Sequence, residues 1–576
     1  MNDIRYVCLS DMHLGEEDSL LTEMDGNNVN PLKASQVMVH LVECLRELIS
    51  KNQGSKKPIL ILNGDILELA LSEYNTSAMI FERFMELVMP KWYVFEWGKI
   101  PGRDEGKLRE YLSQNFDIDP AKTVGIKKTN DDSAISISNG GHLISLELNS
   151  EKTKAILKID GVEKKEFAAE EKEKGRMKIF TEGRELFDRI IYIPGNNDHH
   201  LWELARETQY VEYIDRHPDK RLELPWHKTE MFILEGTEED LNRNVSSFFL
   251  ERILKRRLNL DIDKDQVLRD DIQINIAYPN LGLLSENREK CVVIHHGHFI
   301  EEVYCIMSKL KAVLMGIESE MPKEIQLYES ENFAWIDFFW SALGRSGQVG
   351  ALTETIYEHL LDEDKRSLFF SNAAKNLARK FGSPLTDPIE AAIIKHVLKT
   401  ICERERCDKD VPLGDKGKEG MLLYLDAAKK QIINERDGEL PSELSFVFGH
   451  THKPFLSDEY NVEGFRKPVA VYNTGGWIVD TVQRKEIFGG AVLLMDENLD
   501  ACLLEMYREN ESPHSYKVKA LHIDEGTTDS PFYKRIDQLV GPADQPAKKP
   551  WAQFSNIASV DVNARAERLD IRLKAL

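Results

Sequence analysis

Seven side chains able to hold metal ions fall in five short fragments of this chain. They are Asp11 and His13 in LSDMHLG, Asp65 in LNGDILEL, Asn196 in PGNND, His296 in VVIHHGH, and His450 and His452 in FGHTHKP. Imidazoles mixed with carboxylate and amide oxygens suit manganese, iron, zinc or nickel better than magnesium or calcium. Singly, the fragments are ordinary. A D-x-H after a strand is often a polar turn, a lone G-D says almost nothing, and Asn and Asp favour turns and helix caps. GHTHKP is more specific, because two imidazoles at alternate positions after a glycine seldom serve packing. The five together, each at the end of an apolar run, are hard to attribute to chance.

Those runs must position the ligands. IRYVCLS, PILILNGD, RIIYIPG, KCVVIHH and LSFVFGH read as buried strands, and Lys33 to Lys51 reads as an amphipathic helix with Val37, Leu41, Leu45, Leu48 and Ile49 on one face. Strand and helix alternate, as in an α/β layered domain. Residues 76–184 break the pattern with a helical stretch and two apolar/polar alternations folded over NGG and DG, the mark of β-hairpins. The charge run Glu170 to Lys178 reads as a solvated helix. A second insertion, 301–439, reads as mainly helical and holds the aromatic-rich NFAWIDFFWSALG, either a helix buried between neighbours or an apolar lid. The strands GGAVLLMD and ACLLEMY close the core, and 513–576 is a C-terminal extension with a linker and a short helix at its end.

Composition limits the function classes. The chain has 576 residues, 42% hydrophobic and 30% charged, as in ordinary globular proteins. A formal charge of -23 argues against broad binding to nucleic acid or anionic membranes, which needs clustered Lys and Arg. The basic stretch LERILKRRLNL, 250–260, is the local exception. The seven cysteines are scattered without a C-x-x-C, so they read as reduced core residues. No run approaches the roughly 20 apolar residues of a membrane span, and the first strand starts at Ile4, so a cytoplasmic location is expected.

In the order D-x-H, G-D, G-N-x-D, H-G and G-H-x-H, the fragments resemble the calcineurin-like metallophosphoesterases; NTGGW, Asn473 to Trp477, looks like the strand that commonly follows. The resemblance covers 1–75, 185–300 and 440–512. It implies a two-layer β-sandwich flanked by helices and interrupted by the two large insertions. It also implies two divalent ions, manganese first, with iron, zinc or nickel as alternatives. By carry-over Asp11, His13, Asp65 and His452 hold one ion, and Asp65, Asn196, His296 and His450 the other, with Asp65 bridging. His295 competes with His296, which is preferred because it directly precedes Gly297. The implied activity is hydrolysis of a phosphodiester, pyrophosphate or phosphomonoester by in-line attack of a metal-bridging hydroxide. The expected substrate is a phosphorylated small molecule or nucleotide. Two such ions roughly 3.5–4 Å apart suit that chemistry. Asp198 and Glu68 are expected to orient imidazole or amide groups.

One position departs from the family. Asn197 stands where a histidine usually stabilises the phosphoryl group and protonates the leaving oxygen. An amide can do the first but cannot supply a proton. Either His199 or His200 substitutes, or the substrate carries a leaving group acidic enough to depart unaided. The alternatives are a nuclease of the same family and a non-catalytic metal-binding scaffold.

Overall fold

The computed structural model describes residues 3–88, 94–216, 245–250, 274–342, 405 and 410–575. Short gaps fall at 55, 101, 103–104, 117–119, 130–132, 173–175, 181–185, 247–248, 317–320, 480, 511–515, 524–529 and 542–547. The basic stretch beyond Leu250 and residues 343–404 of the helical insertion lie outside the described residues, as do Cys402 and Cys407.

The chain is mixed α/β and divides into two compact units. The first comprises Met1–Leu87, Leu186–Glu251 and Leu268–Leu576, and the second Val88–Glu185 and Arg252–Val267. In the first unit, Tyr6–Leu9, Ile59–Asn63, Arg189–Ile193 and Ile274–Ile276 pair in parallel. They form the middle of an eight-stranded sheet, which Gly489–Met495, Ala501–Arg508 and Lys519–Leu521 extend by antiparallel pairing. A five-stranded sheet has Lys290–His295, Glu443–Phe448 and Val469–Asn473 in parallel at its centre.

Both sheets feed one apolar core. Cys8, Ile61, Ile191 and Leu493 come from the larger sheet, and Leu281, Val292, Ile294 and Val447 from the smaller. Parallel strands place all their carboxyl ends at one edge, so residues just beyond Leu9, Asn63 and Ile193 are neighbours although far apart in sequence. The same holds beyond His295 and Phe448 in the smaller sheet.

Flanking helices follow local chemistry. The first runs from Gln36 to Ile49, because Ser35 caps it by accepting from the Met38 amide at 3.1 Å. The expected start at Lys33 is therefore three residues early; Lys33 lies in Asn28–Ala34, which pairs with Thr22–Asp25. The tail is also larger than expected. Trp551–Ala575 is a 25-residue helix, not a short one. Buried Arg565 ties it to the 14–22 loop by donating to the carbonyls of Glu17 and Thr22, the latter at 2.6 Å. Neither residue 301 nor residue 513 begins a separate compact unit.

The second unit is a seven-stranded sheet joined by antiparallel hairpins. Ala134–Asn139 pairs with His142–Leu148, and Lys154–Ile159 with Val162–Lys172. Trp97, Leu108, Tyr111 and Leu112 pack with Ile135, Ile137, Leu146 and Phe167 in its core. The described part of the charge run expected as a helix is strand instead: Val162–Lys172 pairs with Arg176–Phe180, setting Glu170 opposite Lys178 and Lys172 opposite Arg176. A neighbouring strand overrides a weak helical preference.

Candidate metal centre

The five fragments converge at the shared edge. Asp11, His13 and His452 offer donor atoms within 4.8 Å of one another, and so do Asp65, His296 and His450. All six are buried, as is Asn196. His13 Nε2 lies 3.2 Å from His452 Nε2, which in turn is 3.5 Å from Asp11 Oδ1. In the second group His296 Nε2 is 3.2 Å from Asp65 Oδ2, 3.2 Å from Asn196 Oδ1 and 3.3 Å from His450 Nδ1. His296 Nε2 also lies 4.0 Å from Asp11 Oδ1, so the two groups adjoin.

Backbone geometry aims these side chains. Asp11, His13, Asp65, His450 and His452 all have φ between 45° and 64°. Each such non-glycine residue costs about 1 kcal/mol or more, and such strain collects at functional sites. The approach is tight as well. A Cβ on Gly195 would sit 2.3 Å from Asp65 Oδ1, and one on Gly449 2.0 Å from Asp11 Oδ2. Those two glycines let the loops close on the carboxylates.

The outward ring nitrogens of His13 and His296 are each held, and that of His450 lies near a carboxylate. His13 Nδ1 donates to Glu68 Oε2 at 2.8 Å, with Glu16 Oε2 at 3.3 Å. His296 Nδ1 donates to the Asn63 carbonyl at 3.1 Å. His450 Nε2 lies 3.2 Å from Glu301 Oε1. This is how metal-binding imidazoles are usually oriented: an acceptor fixes the tautomer and leaves the other nitrogen's lone pair for an ion. Two such lone pairs 3.2 Å apart in a buried site repel unless a proton or a cation lies between them. The donor set therefore fits divalent transition ions.

Electrostatics agree. Burial by itself would raise the Asp65 carboxyl, but His296, His13 and His450 reverse this and hold it far below the usual range. Asp11 is lowered in the same manner, burial being outweighed by His296 and His452. Burial disfavours the His296 imidazolium, yet Asp65 and Asp11 push its pKa up to about 9. His13 is raised well above its ordinary value, Glu16 and Glu68 overcoming burial.

His295 turns the other way. Its Nδ1 accepts from the Gly297 amide at 3.0 Å, and its ring stacks on Tyr424 with centroids 4.4 Å apart. Asn197 points toward the first group: its amide Nδ2 donates to Glu68 Oε2 at 2.8 Å, and its backbone N–H to Asp65 Oδ1 at 2.8 Å. Asp198 braces the loop instead of facing the ions. It accepts from the Gly195 amide at 2.6 Å, the Ile66 amide at 2.8 Å and the Tyr192 hydroxyl. Burial and the neighbouring Asp65 push its pKa up to about 6.

His199 and His200 both address the helical insertion. His199 Nε2 lies 3.2 Å from Glu329 Oε1 and its Nδ1 3.7 Å from Asp337 Oδ1. His200 Nδ1 reaches the same Asp337 oxygen at 3.1 Å. Burial lowers His199, but Glu329 and Asp337 reverse this and raise it to about 10. The aromatic stretch beside them is mixed: Trp340 is buried, its ring 5.1 Å from that of Tyr304, whereas Phe338 is 61% exposed. Sequence reasoning missed Glu301 and Glu329, which sit in no motif. Glu16, three residues after His13, was legible only once His13 had been singled out.

No protein-family model, curated protein or solved structure matches this chain.

Proposed function

We propose that the protein is a metal-dependent phosphoesterase of the calcineurin-like type, acting on a small-molecule or nucleotide phosphoester or pyrophosphate. The observation that carries this reading is the convergence of Asp11, His13, Asp65, Asn196, His296, His450 and His452 at one strand edge, with lone pairs turned inward. These seven residues would hold two divalent ions, manganese first, with Asp65 in both spheres. When bound, such a pair polarises a phosphoryl oxygen and makes water acidic enough to attack phosphorus.

The chain's own residues do the rest. Glu68 fixes the His13 ring and the Asn197 carboxamide with one oxygen, so the amide is set beside the first group of ligands. There Asn197 can donate a hydrogen bond to a phosphoryl oxygen, but it has no proton to give the leaving group. His199 has both ring nitrogens turned to the insertion's carboxylates, and His200 turns its Nδ1 to Asp337. This favours a substrate whose leaving group departs unaided, such as a nucleotide phosphate or an aryl alcohol.

The test is a panel of an aryl monoester, an aryl diester, cyclic nucleotides, nucleoside-diphosphate sugars and oligonucleotides, each with manganese. Hydrolysis of the diester or the sugar nucleotides, abolished by Asp65→Asn, is expected. Metal uptake with no turnover of any member would favour the scaffold reading, and oligonucleotide cleavage the nuclease.

A further inference from the structure

Glu329 lies on the helix Ile325–Trp335, inside the insertion and outside every motif. It is fully buried, as is His199. Its carboxylate receives His199 Nε2 at 3.2 and 3.4 Å and Trp202 Nε1 at 3.1 Å. Tyr278 packs beside these two residues, its ring stacked on that of Trp202 with centroids 5.3 Å apart and 5.3 Å from the ring of His199. His199 follows Asn196 on the loop that leaves Arg189–Ile193, and Trp202 lies in the first turn of the helix His200–Arg216 that the loop enters. Tyr278 follows the adjacent strand Ile274–Ile276, where the Ala277 amide donates to the Tyr192 carbonyl at 3.0 Å.

The chain of contacts continues. The Tyr278 hydroxyl is hydrogen-bonded to His298 Nε2 at 3.2 Å. His298 is two residues past His296, and their ring centroids are 5.6 Å apart. One buried carboxylate thus holds the segment that follows Asn196, and Tyr278, packed on that segment, reaches the loop of His296. Those are two of the four side chains assigned to the second ion. Among the contacts described, none runs from Glu329 to Asp11, His13 or His452.

We propose that Glu329 is a positioning residue for the Asn196 and His296 half of the metal centre. On this view the insertion is an internal brace that sets the second ion's affinity. The inference rests on the two-ion reading above. A buried His–carboxylate pair that merely stabilised the fold would lower thermal stability without distinguishing the two ions.

The experiment uses the full chain, stripped with chelator and titrated with manganese chloride, bound ions being counted by electron paramagnetic resonance. The unmodified protein is expected to take up two ions. Glu329→Gln should keep the first affinity and weaken the second about 10- to 100-fold, the usual effect of removing an orienting partner. Tyr278→Phe, which keeps the ring and loses the hydroxyl, should weaken the same ion by a smaller factor. Unchanged uptake by folded Glu329→Gln, or equal weakening of both ions, overturns the proposal. Should Glu329→Gln fail to fold, Tyr278→Phe decides by the same criterion. If the unmodified protein takes up no ion, it is the metal-centre reading that fails.

Discussion

The carboxylate of Asp11 accepts the backbone N–H of His450 through both oxygens, at 2.9 and 3.0 Å, across 439 residues of sequence. The first and last ligand loops are thereby one structural element. Gly449 makes this contact possible, since a Cβ there would also meet Ser10 Oγ at 2.3 Å. Gly449→Ala is therefore expected to destabilise the fold by about 2–3 kcal/mol, as overpacking does, and to abolish uptake of the ion held by Asp11. Urea unfolding and metal analysis check the two effects separately.

Metal uptake should release protons. His296 has a pKa of about 9 and His13 is raised well above its ordinary value, so both rings carry protons near neutrality until an ion displaces them. Affinity is expected to fall as pH drops through about 9, where His296 gains its proton. Calorimetric titration in buffers of different ionisation enthalpy measures the release directly. Uptake without proton release would contradict the assignment.

His199 makes stability fall in alkali. Its pKa is about 10 when folded, against an ordinary value of 6.5. The stabilisation is fully present below about 6.5 and is lost as pH rises through about 10. Thermal midpoints recorded from pH 6 to pH 10 should decline in the unmodified protein. His199→Gln should start lower and show a flatter profile.

Asn197→His installs the histidine that calcineurin-like metallophosphoesterases usually carry in the motif this segment resembles. If departure of the leaving group goes unassisted in the native protein, rates should depend steeply on leaving-group pKa, and the variant should flatten that dependence. Its gain on alkyl monoesters is expected to reach about 100-fold, the lower range of general acid catalysis. A series of aryl and alkyl phosphoesters measures both slopes. A rate indifferent to leaving-group pKa in the native protein would contradict the proposed substrate class.

The clustering of the candidate ligands was legible because metal chemistry restricts residue type, and because each candidate follows an apolar run short enough to recognise. Strand alternation predicts only that one of His295 and His296 turns away, and His296 is preferred because it directly precedes Gly297; it is the His295 ring that stacks on Tyr424. The strands Val162–Lys172 and Arg176–Phe180 were not legible where they carry the charge run. Its Glu and Lys residues suit a solvated helix equally well, and only the neighbouring strands decide between the two.

By itself the sequence determined which side chains could bind ions and which runs would be strands, since both follow from local chemistry and periodicity. Only tertiary structure decided that the insertion and the C-terminal helix are built into the core's compact unit. It alone turned His199 toward Glu329 and Asp337, and set Arg565 beneath the loop that carries Glu16. The reason is physical: a buried carboxylate or guanidinium takes its role from partners brought near by folding, and nothing in its own stretch of chain names them.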